Sequence, residues 1–418
     1  MWFVGIDWSH QQLDYELRDA AGRVLSSGDV RSTTEGLADL FSKLDRHAPP
    51  EQISIAFEAV NLAWVQALSD RGYTLYPLNP KMVKAFRETL SAAGDKSDAI
   101  DRSVLARLLA TMHTQFKPWR PDAPEIVALR IACQDRLRLI EERTAKVNEL
   151  QAILKAFYPA VLGLFGKLSS RVALQFLRQF PMQQQMHSLT PKRLASWLRR
   201  QHYTAIGRLE EMQAVLGRAS FEVPAHLQQA KAPRIGYLAA SLLALDDEIK
   251  RHERIIEQAF DAFPEARLYR SLPGAGPALA PALAACFGRD PQRFASVASA
   301  RAFLGTAPVT WQSGRWRVVA FRRACWKFGR RTPHMFAGIS LADCGWAKAL
   351  YQQQRASGHR HHESLRAVAH KWVKIILAMR KTGEPYDESR FGHSRRHNPV
   401  TSSPADPELA VLAQRSLT

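Results

Sequence analysis

Cysteine is scarce. Cys133, Cys286, Cys325 and Cys344 are the four in 418 residues, and no two form a CxxC pair. That scatter argues against a zinc site and against a disulfide framework, and it suits a reducing compartment. Long apolar runs are missing too: the longest such stretch, 278–287, is about half of what a bilayer span needs. The opening residues, Met-Trp-Phe-Val-Gly-Ile-Asp, have neither the basic start nor the apolar segment of a secretory leader. A cytoplasmic chain without membrane contact is therefore expected. The first quarter is also short of positive charge. Residues 1–101 hold 10 Lys/Arg against 15 Asp/Glu, a balance of −5 in a chain of net charge +19, so the remainder carries +24. A body so basic predicts a polyanionic partner, DNA or RNA, because neutralising phosphates releases their counterions. An acidic head on such a body predicts carboxylates kept for cations.

What is present divides the chain. Residues 1–101 read as α/β. Apolar runs at Phe3–Asp7, Leu13–Arg18, Val24–Val30, Ile53–Phe57 and Tyr73–Leu78 predict strands, with Ala21-Gly22 as a hairpin turn. Leu62–Arg71 reads as a helix, Pro80 opens another, and the run from Asp98 has helical spacing. Strands that end in acids, followed by helices, predict an RNase H-like domain. Pro118, Pro121 and Pro124 mark its boundary, near residue 124. Two long helices are expected next, about 126–157 and 235–263. Cys133, Leu137, Ile140, Thr144, Val147, Gln151 and Leu154 form the seam of one; Leu242, Leu245, Ile249, His252, Ile256, Ala259 and Phe263 form that of the other. They predict an antiparallel coiled coil over 125–265 with an inserted helical module at about 158–233. A mainly helical domain at 266–386 and a Ser/Pro/Arg-rich flexible tail at 387–418, with a short helix near Pro407–Arg415, complete the expected fold class of α/β plus mainly α.

Four acids stand where chemistry is expected. Asp7 ends the first strand, Glu58 follows a later one, and Asp98 and Asp101 share a helix face at a spacing of three. Converging carboxylates suit magnesium, which prefers oxygen ligands, and two-metal phosphoryl transfer needs several of them. The plain alternatives are turn residues and a helix N-cap. Gly5-Ile6-Asp7, Phe57-Glu58-Ala59 and Lys96-Ser97-Asp98-Ala99-Ile100-Asp101 resemble the acidic motifs of the DEDD transposases, the "one-ten" insertion-sequence recombinases with a RuvC-like N-terminal domain. Val60-Asn61 stand where that family usually has Thr or Ser and then Gly.

The resemblance extends to the C-terminal part. Gly305-Thr306-Ala307-Pro308 followed by Ser313-Gly314 is similar to the family's serine element, which implies that Ser313 is a nucleophile toward DNA. Without that resemblance Ser-Gly is a turn signal. Lys327-Phe328-Gly329-Arg330 matches the family's Lys-x-Gly-Asn except at Arg330. Between them Arg315, Arg317, Arg322, Arg323, Lys327, Arg330 and Arg331 interleave with Trp316, Phe321, Trp326 and Phe328. Cations of this kind bind phosphates, while the aromatics either stack on bases or pack inside. Pro273-Gly274-Ala275-Gly276-Pro277 before an apolar run resembles a phosphate-facing helix-hairpin-helix turn, and equally a turn before a core helix. His359, His361, His362 and His370 read as a basic surface, since no Cys or acid completes a zinc set.

Taken together, the resemblance implies an RNA-guided DNA recombinase of an insertion sequence, a nucleoid-associated dimer or tetramer. It would use Mg2+ (or Mn2+) at Asp7, Glu58, Asp98 and Asp101, with Ser313 forming a covalent link to donor or target DNA while a structured bridge RNA guides the choice of site. Two alternatives remain open on the residues: a RuvC-like endonuclease that uses water, and an inactive nucleic-acid-binding protein.

Overall fold

A computed structural model describes residues 1–58, 62–90, 97–203, 209–217 and 223–389. Ala59, Val60, Asn61, Lys96 and the tail beyond 389, with its expected short helix, lie outside the described residues. The chain forms two compact units, Met1–Asp122 and Ala123–Thr418.

In the first unit, β1 (Trp2–Trp8), β2 (Gln12–Arg18) and β3 (Val24–Arg31) form an antiparallel meander. Helix α1 (Thr34–Asp45) then leads to β4 (Ile53–Phe57), α2 (Leu62–Asp70), β5 (Thr74–Pro77), α3 (Pro80–Leu90) and α4 (Asp98–Met112). The sheet order is β3-β2-β1-β4-β5, with β1, β4 and β5 parallel. That order and sense are those of an RNase H-like domain.

Alternation along the strands gives the sheet two working faces. Val4, Ile6, Leu13, Tyr15, Leu17, Ile53, Ile55 and Phe57 fill a core on one side with Leu40, Leu44, Val65 and Leu68 from α1 and α2. Phe3, Ala56 and Tyr76 face a second core with Val83, Val104, Leu105, Leu108 and Leu109 from α3 and α4. Each fully buried aliphatic side chain is worth about 1.5–3 kcal/mol.

Helix α1 is absent from the sequence reading. Gly36 in its first turn obscures the helical pattern, yet a Cβ there would lie 2.0 Å from the Arg31 carbonyl oxygen. Thr33 caps the helix, its hydroxyl accepting from the Gly36 N–H at 3.2 Å.

The second unit is built on two long helices, α5 (Pro124–Phe157) and, after α6 (Arg171–Gln179), α7 (Gln183–His187), α8 (Pro191–Arg200) and α9 (Leu209–Gly217), α10 (Ala225–Asp261). Helix α10 begins ten residues before the expected start and runs through Pro233. Ion pairs Arg136–Glu253, Arg143–Asp246 and Arg234–Glu149 descend one helix as they climb the other, so the pair is antiparallel. Buried side chains gather at its two ends. Leu150, Leu154, Leu238 and Leu242 join Tyr158, which caps the end of α5, and Phe176 and Trp197 of the small helices. Cys133, Ile256 and Phe260 join a larger core made by α11 (Ala266–Arg270), α12 (Gly276–Phe287), α13 (Val297–Phe303), α14 (Lys327–Asp343), α15 (Gly345–Ala356) and α16 (His361–Thr382). Along the pair the seam differs from the expected one: Thr144 and Gln151 are exposed, and Leu150 is buried in place of Gln151. Between α13 and α14, β6 (Val309–Ser313) and β7 (Trp316–Ala320) form a two-stranded hairpin. Across the whole chain, no described helix is long and apolar enough to cross a membrane.

Candidate active site

The acids of the first unit are positioned by one close approach. A Cβ on Gly5 would lie 2.1 Å from the Arg102 carbonyl oxygen and 2.5 Å from the Ala106 nitrogen, so the backbone of α4 rests directly on β1. Asp7 is two residues further along the strand and therefore shares the face of Gly5. Asp101 immediately precedes Arg102 on the helix. Ile6 is registered with Phe57 across the parallel pair, so Asp7 and Glu58 leave neighbouring strands at the same edge. Ser97 caps α4, its hydroxyl accepting from the Ile100 N–H at 3.3 Å, which leaves Asp98 as the first helical residue. Asp98 is exposed, Asp7 and Glu58 are half-buried, and Asp101 is buried.

Under α4 the structure also places charges that the sequence reading passed over. Asp14 is the cross-strand partner of Asp7, and Glu16 of Gly5. Both are buried, as is Arg18. Asp14 accepts from Arg102 at 2.8 Å. Arg18 donates to Glu16 at 2.5 Å and to the Ser103 hydroxyl at 3.1 Å. The alternation Leu13-Asp14-Tyr15-Glu16-Leu17-Arg18 reads as a strand with one wet face; α4 covers that face, and each charge is met by another. Asp101 is ion-paired to Arg87 of α3, without a hydrogen bond of good geometry.

The donor chemistry here, carboxylates at one sheet edge and on a facing helix turn, suits a hard divalent cation. Among the described residues, however, no three His, Cys, Asp or Glu side chains gather closely enough to hold an ion. A metal would have to draw Asp7, Glu58, Asp98 and Asp101 together and compete with Arg87 for Asp101.

In the second unit Ser313 closes β6. It pairs with Trp316 across a two-residue turn, in which Gly314 has φ +56°. Glycine in the first turn position is what a type II′ hairpin needs. The hairpin stands in solvent: Ser313 is exposed, and Trp311 and Trp316 are 54% and 55% accessible. Two glycines fix its root. Gly305 (φ +63°) lies against Cys325 and Arg330, where a Cβ would approach within 2.6 Å; Gly329 lies against Trp326 and Leu304, where a Cβ would come within 2.5 Å. The segments before and after the hairpin are thus locked together.

The basic residues around it divide by role. Arg315, Arg317, Arg323 and Lys327 are exposed. Arg322 donates to the carbonyls of Ala307 and Pro308 at 3.1 and 3.3 Å. Arg330 lies over the Phe321 ring, and Arg331 pairs with Glu141. The aromatics divide likewise, with Phe328 buried and Trp316 and Phe321 in solvent.

The Gly274 turn packs on α14, a Cβ there meeting Ile339 at 2.9 Å and the Asp343 carboxylate at 3.1 Å, and the run after it is buried core. That is the packing alternative rather than a phosphate site. The histidines lie along α16 and the loop before it. His362 is 3.2 Å from His334 of α14, and His361 is 2.9 Å from the Tyr351 hydroxyl. Burial, and secondarily the neighbouring His362, pushes His334 down to about 4.

An RNase H-like domain with acids at the sheet edge is joined to a helical unit with a basic hairpin, and the family matches place a chain so built among the transposases, which are DNA-processing enzymes. The DEDD transposase model matches residues 4–159, and the model described as "Transposase IS116/IS110/IS902 family" matches residues 266–352. The chain is 26% identical to the mini-circle putative transposase for IS117 of Streptomyces coelicolor, over 93% of this chain and 96% of that one. It is 30% identical to an uncharacterized 44.8 kDa protein of insertion element IS116 from Streptomyces clavuligerus, over 68% of this chain and 71% of the relative. Among solved structures, T. thermophilus RuvC in complex with a Holliday junction substrate matches 28% of this chain and 99% of its own, with 17% identity and a TM-score of 0.23. The chain belongs to the IS116/IS110/IS902 family of transposases.

Proposed function

We propose that this transposase recombines DNA through a covalent serine–DNA intermediate, guided by a structured RNA. The observation that carries the reading is the display of Ser313 at the tip of an exposed hairpin, with Arg315 and Arg317 beside it. A phosphate drawn to Arg315, in the two-residue turn next to Ser313, would come near the serine hydroxyl. In the proposed step the Ser313 Oγ loses its proton and forms a bond to phosphorus. The bridging P–O bond of the DNA breaks, and its oxygen takes up a proton to become a free hydroxyl. Attack by a second DNA hydroxyl reverses the step and rejoins the strands, so no water is consumed.

A serine hydroxyl needs activation at neutral pH. Magnesium or manganese held by Asp7, Glu58, Asp98 and Asp101 would stabilise charge on the phosphate oxygens. In this reading the acids come from another subunit, in a dimer or tetramer joined through the α5–α10 pair. Bridge RNA and DNA, donor and target, are the proposed partners of the basic second unit.

The test combines protein, Mg2+, the element's flanking RNA and target DNA, followed by denaturing electrophoresis. A protein–DNA adduct is expected, absent in Ser313→Ala and in Asp7→Ala. Cleavage that persists in Ser313→Ala would overturn the serine step and favour a water-using endonuclease. Binding without cleavage under every condition would favour a binding protein.

A further inference from the structure

A cavity of about 410 Å3 lies at the root of the hairpin, bounded by 305–308, by 319–322 and by α16. We propose that it is a pocket for a single unpaired nucleotide, drawn out of the DNA or RNA that the hairpin engages. Its volume falls within the range of about 300–1,000 Å3 usual for small-ligand sites. A duplex does not fit such a space, so a base enters only after leaving its stack.

The lining supplies what a nucleotide needs. Glu363, Arg366, Ala367 and His370 follow one another at helical spacing and form one wall. Phe321 and Arg322 come from the hairpin side. The Arg366 guanidinium lies over the Phe321 ring, 4.9 Å from its centre, and its carboxylate neighbour Glu363 is 4.0 Å away. Burial lowers the pKa of Arg366, and burial with Arg301 nearby lowers that of His370. A half-dry cation with one distant acid is a ready partner for phosphate oxygens. Pro308, Val319 and Ala367 give the base an apolar surface, while the Phe321 ring is taken up by Arg330 and Arg366. Glu363 accepts from the Arg360 N–H at 2.9 Å, which holds it ionised. Its carboxylate is then an acceptor for the exocyclic amine of a base.

The pocket's place relative to Ser313 rests on the serine reading above. Val309 and Ala320, at the root, pair four residues from the Ser313–Trp316 end. Four strand residues span about 13 Å, or about four nucleotides of one B-form strand. The captured nucleotide would therefore lie within about four positions of the attacked phosphate.

Binding of the full-length chain to two DNAs of the same sequence, one fully paired and one with a single bulged 2-aminopurine, tests the pocket. The bulged DNA is expected to bind about tenfold more tightly, a difference of about 1.4 kcal/mol, with a change in 2-aminopurine emission. Ala367→Phe, which fills the cavity, and Arg366→Gln should each abolish the preference while duplex binding stays within about twofold. Free dAMP should compete with the bulged DNA and not with the duplex. Equal wild-type affinity for both DNAs overturns the proposal, and so does equal weakening of both by folded Arg366→Gln, judged by an unchanged melting temperature. Ser313→Ala should keep the preference whether or not it forms an adduct, so the pocket and the serine step can fail separately.

Discussion

Gly5 decides where the acids lie. Its missing side chain lets α4 cross β1 at backbone contact, which carries Asp101 toward the strand that holds Asp7. Gly5→Ala should therefore be far worse than an ordinary core enlargement, at about 3 kcal/mol or more, because the two nearest clashing atoms are backbone. Chemical denaturation of the purified variant measures this, and a loss under about 1 kcal/mol, or the gain that Gly-to-Ala brings where the backbone permits it, would refute the close approach. Arg87 is the second decisive residue. Its ion pair with buried Asp101 occupies a carboxylate that a metal would need. Arg87→Gln leaves that charge without its partner, so the metal-free protein should melt lower, and Mg2+ should restore more of the loss than it adds to the wild type. Magnesium titrations followed by calorimetry give the comparison; identical shifts in the two proteins would mean that Asp101 does not compete. The placement of the acids was legible in the sequence, since Asp7 lies near the end of a strand, Glu58 directly follows one, and Asp98 and Asp101 stand in the first turn of a helix; their use for a metal is the proposal above. The charges beneath them were not: Asp14, Glu16 and Arg18 have the pattern of a solvated strand face, and only the tertiary crossing of α4 buries them.

At the scale of elements, the long antiparallel helices show how far periodicity reaches. The sequence reading placed both helices and their antiparallel sense, yet it carried one regular seam through Gln151. The structure buries Leu154 as expected but Leu150, four residues before it, in place of Gln151, where the small helices pack on the pair. Local tertiary contacts shift the buried face there, and a heptad count cannot register that. Leu150→Ala is expected to lower stability by about 2–5 kcal/mol, whereas Gln151→Ala should change it by less than about 0.5 kcal/mol. Denaturant midpoints of the two variants decide between the seams. Helix α1 escaped notice for a related reason: Gly36 weakens the helical pattern, and what demands it is contact with Arg31, a tertiary fact.

For the whole molecule, the uneven charge along the chain was the earliest legible property, and it separates an acid-bearing RNase H-like unit from a basic helical one. The same helical unit contains a pH-sensitive knot. His334 is held at about 4 by burial, against about 6.5 for an ordinary histidine. Between those values the unfolded chain binds a proton that the folded chain refuses, so stability falls as pH drops from about 6.5 to about 4. His370, also depressed by burial, acts in the same direction. Melting temperatures across that window should decline, and His334→Gln should flatten the decline; a wild-type curve that is level down to pH 4 would contradict the burial of His334.

The β6–β7 hairpin has a further consequence. A lone two-stranded ribbon is at best marginally stable in water, and this one joins no other strand among the described residues. Its amide protons should therefore trade with deuterated solvent within seconds to minutes, while those of the buried helices α12 and α16 hold theirs for hours or longer. Ser313 would then ride on a segment that opens and recloses many times before a substrate arrives, and protection of 309–320 on adding nucleic acid would report the moment at which the serine becomes fixed in place.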